Sequence, residues 1–400
     1  MIYVIFCFHV HQPFRLKHYT LFEIGKNLNY FDDELNERIF RRASEKCYLP
    51  MNELLLNHLR RFEGAFKISF SITGTFVEQA YLYRPEVMDS FKTIAREGGA
   101  EFIGETYYHS LSCIFDEEEF IQQVRLHSEM LEREFGIRPR TFRNTELVYS
   151  NRISDLITEI PEFRIILLEG TERILKENSP LYVRRSHNYE HILLFRHYRL
   201  SDDIAFRFSD ERWPEYPLTA EKFAKWVADL SLSEREGRNL YLLLYVDYET
   251  FGEHQWKETG IFEFMKKLPD FLFKNKHISF AWPSDVLETL NYEPEVLSVP
   301  FPVSWADTER DLSAWLSNPL QWNAMKTYFE ILKKVKEKRK MELMETARKL
   351  SSSDLYYYMC IKYFADGDVH KYFSPYERPE DAYIYFMHVL TDLEKRIEEE

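Results

Sequence analysis

The chain has 400 residues, of which 45% are apolar, 30% charged and 16% aromatic, and its 66 acidic against 52 basic residues leave a net charge of −14. That balance excludes a disordered or fibrous chain. It also argues against nucleic acid as the principal partner, because phosphate binding draws on local positive charge.

In chain order, the first eight residues (MIYVIFCF) are apolar but lack a basic start and a small-residue cleavage site. They predict a buried strand, not a signal peptide. No apolar run reaches the roughly 20 residues needed to span a bilayer, so no membrane association is expected. The four cysteines, Cys7, Cys47, Cys113 and Cys360, form no CxxC pair. Reduced thiols and a cytoplasmic location follow as expectations. Scarce glutamine beside abundant Glu and Lys hints at a thermophilic source.

Short apolar runs then recur at 2–8, 66–73, 100–105, 140–146, 163–170, 241–249 and 277–282. Runs apolar on both faces fit strands of a parallel sheet. Helical patterns at 117–136 and 220–237 separate some of them, which predicts βαβ units in a barrel or doubly wound sheet. Beyond about residue 300 the pattern is helical, at 320–350, 355–364 and 379–400. The KKVKEKRK run at 333–340 reads as a solvated helix face. The expected division is an α/β domain over 1–300 and a helical domain over 301–400.

In parallel α/β folds the C-terminal strand ends carry the chemistry. The first strand ends in His9, His11 and Gln12. Its alternating histidines face one side, and they could begin a metal site or hold sugar hydroxyls. The third carries Glu101 and Glu105 and runs into Tyr107. The fourth ends Arg143-Asn144-Thr145-Glu146, where the arginine would favour ionised Glu146. The run 241–249 reaches Asp247 and Glu249, which share a side if the strand continues; His254 and Trp256 follow. Two carboxyls facing one pocket, with aromatic rings for stacking, are the minimum apparatus for glycoside hydrolysis. No GxGxxG, Walker loop or GxSxG is present, so dinucleotide, phosphate-loop and serine-hydrolase chemistry have no support.

Five segments together resemble glycoside hydrolase family 57, specifically its α-amylase-like members: HVHQP at 9–13, GGAEFIGETYYHSL at 98–111, RNTELVYSN at 143–151, YVDYETFGEHQW at 245–256 and SWADTERDLSAWLSN at 304–318. The resemblance implies an α/β fold, an incomplete (β/α)7 barrel with a C-terminal helical domain. It implies a retaining two-step mechanism with Glu146 as nucleophile and Asp247 as acid/base, and no cofactor or obligatory metal. It aligns Glu101 with the second motif's glutamate, and brings Trp305 and Asp307 to the site from the helical segment. An α-glucan or oligosaccharide would be the substrate, by hydrolysis or, in some relatives, by transfer. Retention implies carboxyls about 5–5.5 Å apart.

Overall fold

A computed structural model describes residues 1–232, 236–362 and 364–399. Ten strands occur among them: β1 (Ile2–Val10), β2 (Ile68–Ile72), β3 (Ala100–Phe102), β4 (Thr141–Arg143), β5 (Ile165–Glu169), β6 (Arg184–Ser186), β7 (Ile192–Arg196), β8 (Leu240–Asp247), β9 (Ile278–Phe280) and β10 (Val296–Leu297). β1 and β8 are almost wholly buried because their runs of Ile, Val, Leu, Phe and Tyr meet apolar neighbours on both faces.

Parallel pairings join β8 to β1, β1 to β2, β2 to β3, β4 to β5, β5 to β7 and β7 to β8. β3 and β4 meet through Gly104, whose N–H donates to Thr141 O (2.9 Å) and whose carbonyl accepts from Arg143 N (2.9 Å). Seven strands therefore close into a ring: β1, β2, β3, β4, β5, β7 and β8. Helices such as Leu49–Arg61, Pro85–Arg96 and Glu117–Phe135 return the chain between them. This is the incomplete (β/α)7 barrel.

Six of the seven strands expected from sequence belong to the ring. The run at 277–282 does not: β9 pairs only with the first three residues of β1. The seventh ring strand is β7, which follows antiparallel β6 across a tight turn. The sequence run at 140–146 stops being a strand at Arg143, and that at 241–249 stops at Asp247.

The helix at Glu117–Phe135 matches expectation. Asp116 caps it by accepting from Glu119 N (3.0 Å), and Gly136 closes it at φ 70°. The helix expected over 220–237 runs Ala220–Leu232, and its expected continuation at 233–235 lies outside the described residues. The helical stretch 320–350 is two helices, Pro319–Glu337 and Met341–Lys349, broken where Arg339 turns left-handed. The expected helix over 355–364 is replaced by Ser353–Tyr357 and Phe364–Phe373, residue 363 lying outside the described residues. Pro379–Glu398 accounts for 379–400 up to residue 398, and residue 400 again lies outside. Nor is 333–340 merely solvated. Lys336 pairs with Asp116 (2.8 Å) and Glu119 (3.0 Å), tying this helix to the barrel's.

One apolar cluster fills the space between ring and outer helices. A second packs Trp315, Tyr328, Leu332, Val389 and Leu393 against Leu16, Tyr19 and Tyr30 from the loop after β1. Each such fully buried side chain contributes about 1.5–3 kcal/mol, so the helical segment is fastened to the loops at the barrel mouth. No helix among the described residues is long and apolar enough to cross a membrane.

Candidate active site

Register fixes what meets at the mouth. His9 lies level with Ser71 on β2 and with Asp247 on β8. Beyond β4 the chain turns sharply through Thr145–Leu147, and Glu146 sits there at φ 57°, ψ 25°. Left-handed backbone is costly for a non-glycine residue and persists only where its surroundings over-determine it. Here the Glu146 carbonyl accepts from Ser304 Oγ (3.0 Å) and Trp305 N (3.3 Å).

The Glu146 carboxylate is ringed by donors. Oε1 accepts from His109 Nε2 (2.9 Å) and Ser353 Oγ (3.0 Å), and Oε2 from Trp305 Nε1 (2.6 Å). Burial pushes its pKa up. The His109 hydrogen bond and charge, with the Trp305 bond, outweigh that and leave it below the usual glutamate value. His109 is itself left-handed, at φ 54°, and its carbonyl accepts from Ser353 N (2.8 Å). Its Nδ1 lies 3.6 Å from Glu105, an ion-pair distance. Burial opposes its protonation, but Glu105 and Glu146 win and raise its pKa to about 9. It is an imidazolium at neutral pH.

Asp247 has the opposite environment. No hydrogen bond reaches its carboxyl from the other described residues. Burial, then the charge of Glu146, raises its pKa to about 7. One mouth carboxyl is thus held ionised, and its charge helps hold the other protonated up to neutrality.

Around these two, Glu105 is fully buried and pairs with Arg143 (2.9 Å). Burial works against its ionisation, yet Arg143 and His109 keep its pKa well below the ordinary value. The arginine next to Glu146 in sequence therefore serves Glu105, and the cation on Glu146 is His109. Glu249 does not continue the strand beside Asp247. It lies in the turn Tyr248–Thr250 and accepts from Tyr48 OH and from Gln12 Nε2 (3.4 Å). Burial lifts its pKa to about 8. Asp307 sits in the loop carrying Trp305 and is held by Lys362 (2.7 Å) and His370 (3.1 Å).

The histidines pack ring to ring: His9 stacks on His109 (4.9 Å between centroids), and His109 meets His11 at a tilt (4.1 Å). Among the described residues, His11, His109 and Asp354 are the group whose ligand-type atoms come within 4.8 Å of one another. The pair His9 and His11 considered from sequence is not that group. Three of its four ring nitrogens are hydrogen-bonded. His11 Nδ1 lies 2.9 Å from Thr73 Oγ1 and Nε2 lies 2.9 Å from Asp354 Oδ2, while His109 Nε2 serves Glu146. The arrangement suits a hydrogen-bonded relay better than a cation.

Four expected residues stay outside this cluster. Glu101 lies low in the barrel, accepting from Thr141 Oγ1 (2.6 Å) and from Ser284 N (3.0 Å) and Oγ (2.8 Å). Tyr107 packs on Tyr108 and against Gly74. His254 meets Tyr372 and Phe373 edge-on. Trp256 is 60% exposed. Conversely, His109, Ser353 and Asp354 join the cluster unread from sequence. His109 lies within the motif at 98–111 without being singled out there, and for the other two the signal is the polar SSSD at 351–354.

Comparisons with known proteins accord with this geometry. The chain matches the sequence profile described as Glycosyl hydrolase family 57 over residues 5–300. It is 43% identical over 411 residues to a Methanocaldococcus jannaschii protein named "Putative alpha-amylase", covering 99% of this chain and 85% of that one. In fold it is similar to the branching enzyme of the hyperthermophilic archaeon Pyrococcus horikoshii (TM-score 0.70, 15% identity, 93% of this chain and 86% of that). It is also similar to the 4-α-glucanotransferase of Thermococcus litoralis (TM-score 0.66, 16% identity, 89% of this chain and 56% of that). The fold likeness, the profile match and the identity to the M. jannaschii protein agree: the chain is an enzyme of glycosyl hydrolase family 57.

Proposed function

We propose that this enzyme cleaves α-glucosidic bonds, mainly α-1,4, in starch- or glycogen-type glucans or maltooligosaccharides with retention of configuration. The observation that carries this reading is the opposite tuning of Glu146 and Asp247 at one mouth. Glu146, ionised and held by three donors, attacks the anomeric carbon. Asp247, protonated, donates its proton to the departing glycosidic oxygen, so that oxygen leaves as a neutral hydroxyl. A covalent glycosyl–Glu146 ester results. Asp247, now ionised, takes a proton from water as the water attacks the same carbon, and the ester bond breaks to return Glu146. No cofactor enters either step.

His9 supports a substrate-binding role. It lies near the end of β1, level with Asp247 on β8, and stacks on His109, which holds Glu146. Trp305, His11, Gln12, Arg143, Glu105, Glu249 and Asp307 shape the same mouth. Within this reading residues 1–300 form the catalytic barrel, and 301–400 form a helical domain that lends Trp305, Ser353 and Asp354. The M. jannaschii relative's name supports hydrolysis. The glucanotransferase and branching-enzyme titles of the fold neighbours favour a second reading, in which a sugar hydroxyl replaces water.

Maltoheptaose decides between them. Products only shorter than the substrate, first released as the α-anomer by proton NMR, are expected. A ladder extending above seven units would establish transfer instead. An initial β-anomer, or no turnover, would overturn the proposal.

A further inference from the structure

The loop 304–311 that delivers Trp305 is closed on itself by Ser304 N donating to Arg310 O (3.1 Å). Within it Asp307 and Arg310 are left-handed, at φ 53° and 52°. Such backbone needs external restraint; Arg173 supplies part of it, donating to Glu309 O (2.9 Å) and Asp311 Oδ2 (3.1 Å), Lys362 another part, and Arg310 the part that reaches Trp305. Its Nη1 donates to the Trp305 carbonyl and reaches Glu169 Oε2 (3.4 Å), and its Nη2 donates to Asp202 Oδ2 (3.1 Å).

The same two carboxylates bind a second arginine. Arg196 Nη1 donates to Glu169 (3.0 Å), Nη2 to Asp202 (2.5 Å) and Nε to Tyr245 O (2.7 Å). Its guanidinium lies 5.5 Å from the centroid of the Trp305 ring. Two arginines thus alternate with two carboxylates in a neutral, largely buried ring fixed to the ends of β5 and β7. The rim of that ring grips Trp305 by its carbonyl, and the indole at the other end of the same residue donates to Glu146.

We propose that Arg310 is a positioning residue: anchored on Glu169 and Asp202, it sets the place of Trp305 and thereby of the Glu146 carboxylate. This rests on the assignment of Glu146 as nucleophile. A displacement of about 1 Å at a reacting group can lower the rate about a hundredfold, so a residue that never touches substrate has leverage here. The loop keeps a second tether in Asp307 with Lys362 and His370, so loss of Arg310 loosens its register without freeing the loop.

The test is a cycle in the full chain: Arg310→Met, Trp305→Phe and both together, with Arg310→Lys as the conservative variant. Arg310→Met should lower kcat on maltoheptaose about 10- to 100-fold with little change in KM. It should also move the acid limb of the pH profile upward, because Glu146 loses a well-placed donor. In the Trp305→Phe background the same change should cost less than about threefold, the non-additivity of residues acting in series. Arg310→Lys should recover part of the loss. Equal losses in both backgrounds, or a change confined to KM, would overturn the proposal. A carbon-13 NMR titration of Glu146, assigned with Glu146→Gln, reads the same link without substrate. An unshifted Glu146 in Arg310→Met sinks the positioning role, whereas a wild-type enzyme inactive on glucans sinks the functional reading alone.

Discussion

Glu146 follows β4 and Asp247 ends β8, two strands that β5 and β7 separate in the ring; both are partly buried, yet their surroundings differ in kind. Around Glu146 converge an imidazolium, an indole N–H and a serine hydroxyl, drawn from the loop after β3, from residue 305 and from residue 353. Around Asp247 no donor among the described residues converges, and after burial the largest influence is the negative charge of Glu146. The difference teaches that residue type does not assign the roles. Burial raises the pKa of both carboxyls. What separates them is whether the protein spends donors on the charged form.

The comparison breaks most visibly at Glu146. Replacing Glu146 with Gln keeps the shape and leaves an oxygen to accept from Trp305, so the fold should survive. The attacking charge is gone, and kcat should fall by at least about a thousandfold. Steady-state assay on maltoheptaose, with circular dichroism as the check on folding, measures this. Activity within tenfold of wild type would mean that another carboxylate attacks.

Asp247→Asn should cost somewhat less, about 10²–10⁴-fold in kcat, and less again on an aryl glycoside whose leaving group needs no proton. Its pH behaviour follows from the sign of the shift. Asp247 titrates near 7 instead of 3.8, so the protonated acid is present below pH 7. Wild-type activity should fall as pH rises through about 7, and the variant should lose that alkaline limb. Stability also falls as pH rises, over a lower range. The native state holds a proton that the unfolded chain has released, so wild-type stability declines as pH climbs from about 4 to 7. Asp247→Asn should therefore melt higher than wild type at pH 8 and at the same temperature near pH 4.

Much of this rim was legible in the sequence, and the limits of that legibility are physical. β1 and β8 announce themselves because strands buried on both faces must be apolar throughout, and a carboxylate ending such a run stands out. β7 hid because only five residues, 187–191, separate it from an antiparallel partner, where strand–helix alternation leads one to expect a helix. Arg143 is three residues from Glu146, but the left-handed turn at Glu146 and Leu147 sends the two side chains to different partners. Most of all, Ser353 and Asp354 reach Glu146 and His11 across more than 200 positions of chain. No local pattern encodes that meeting; it exists only once the ring has closed and the second apolar cluster has docked on it.

The smallest expected effect sharpens the comparison most. Glu101 is partly buried like Asp247, and desolvation likewise raises its pKa. A raised carboxyl alone would make it a rival acid catalyst, and motif alignment brings it forward too. Yet its oxygens are already occupied by Thr141 and Ser284 low in the barrel. Glu101→Gln should leave kcat, KM and the alkaline limb within about twofold of wild type. It should lower stability by about 1–3 kcal/mol, because the amide of Gln would set a donor against the Ser284 N–H. Denaturant unfolding measures the second quantity and the pH profile the first. If Glu101→Gln instead abolished the alkaline limb, the proton donor would have to be sought there. The absence of donors around Asp247 would then need another explanation than catalysis.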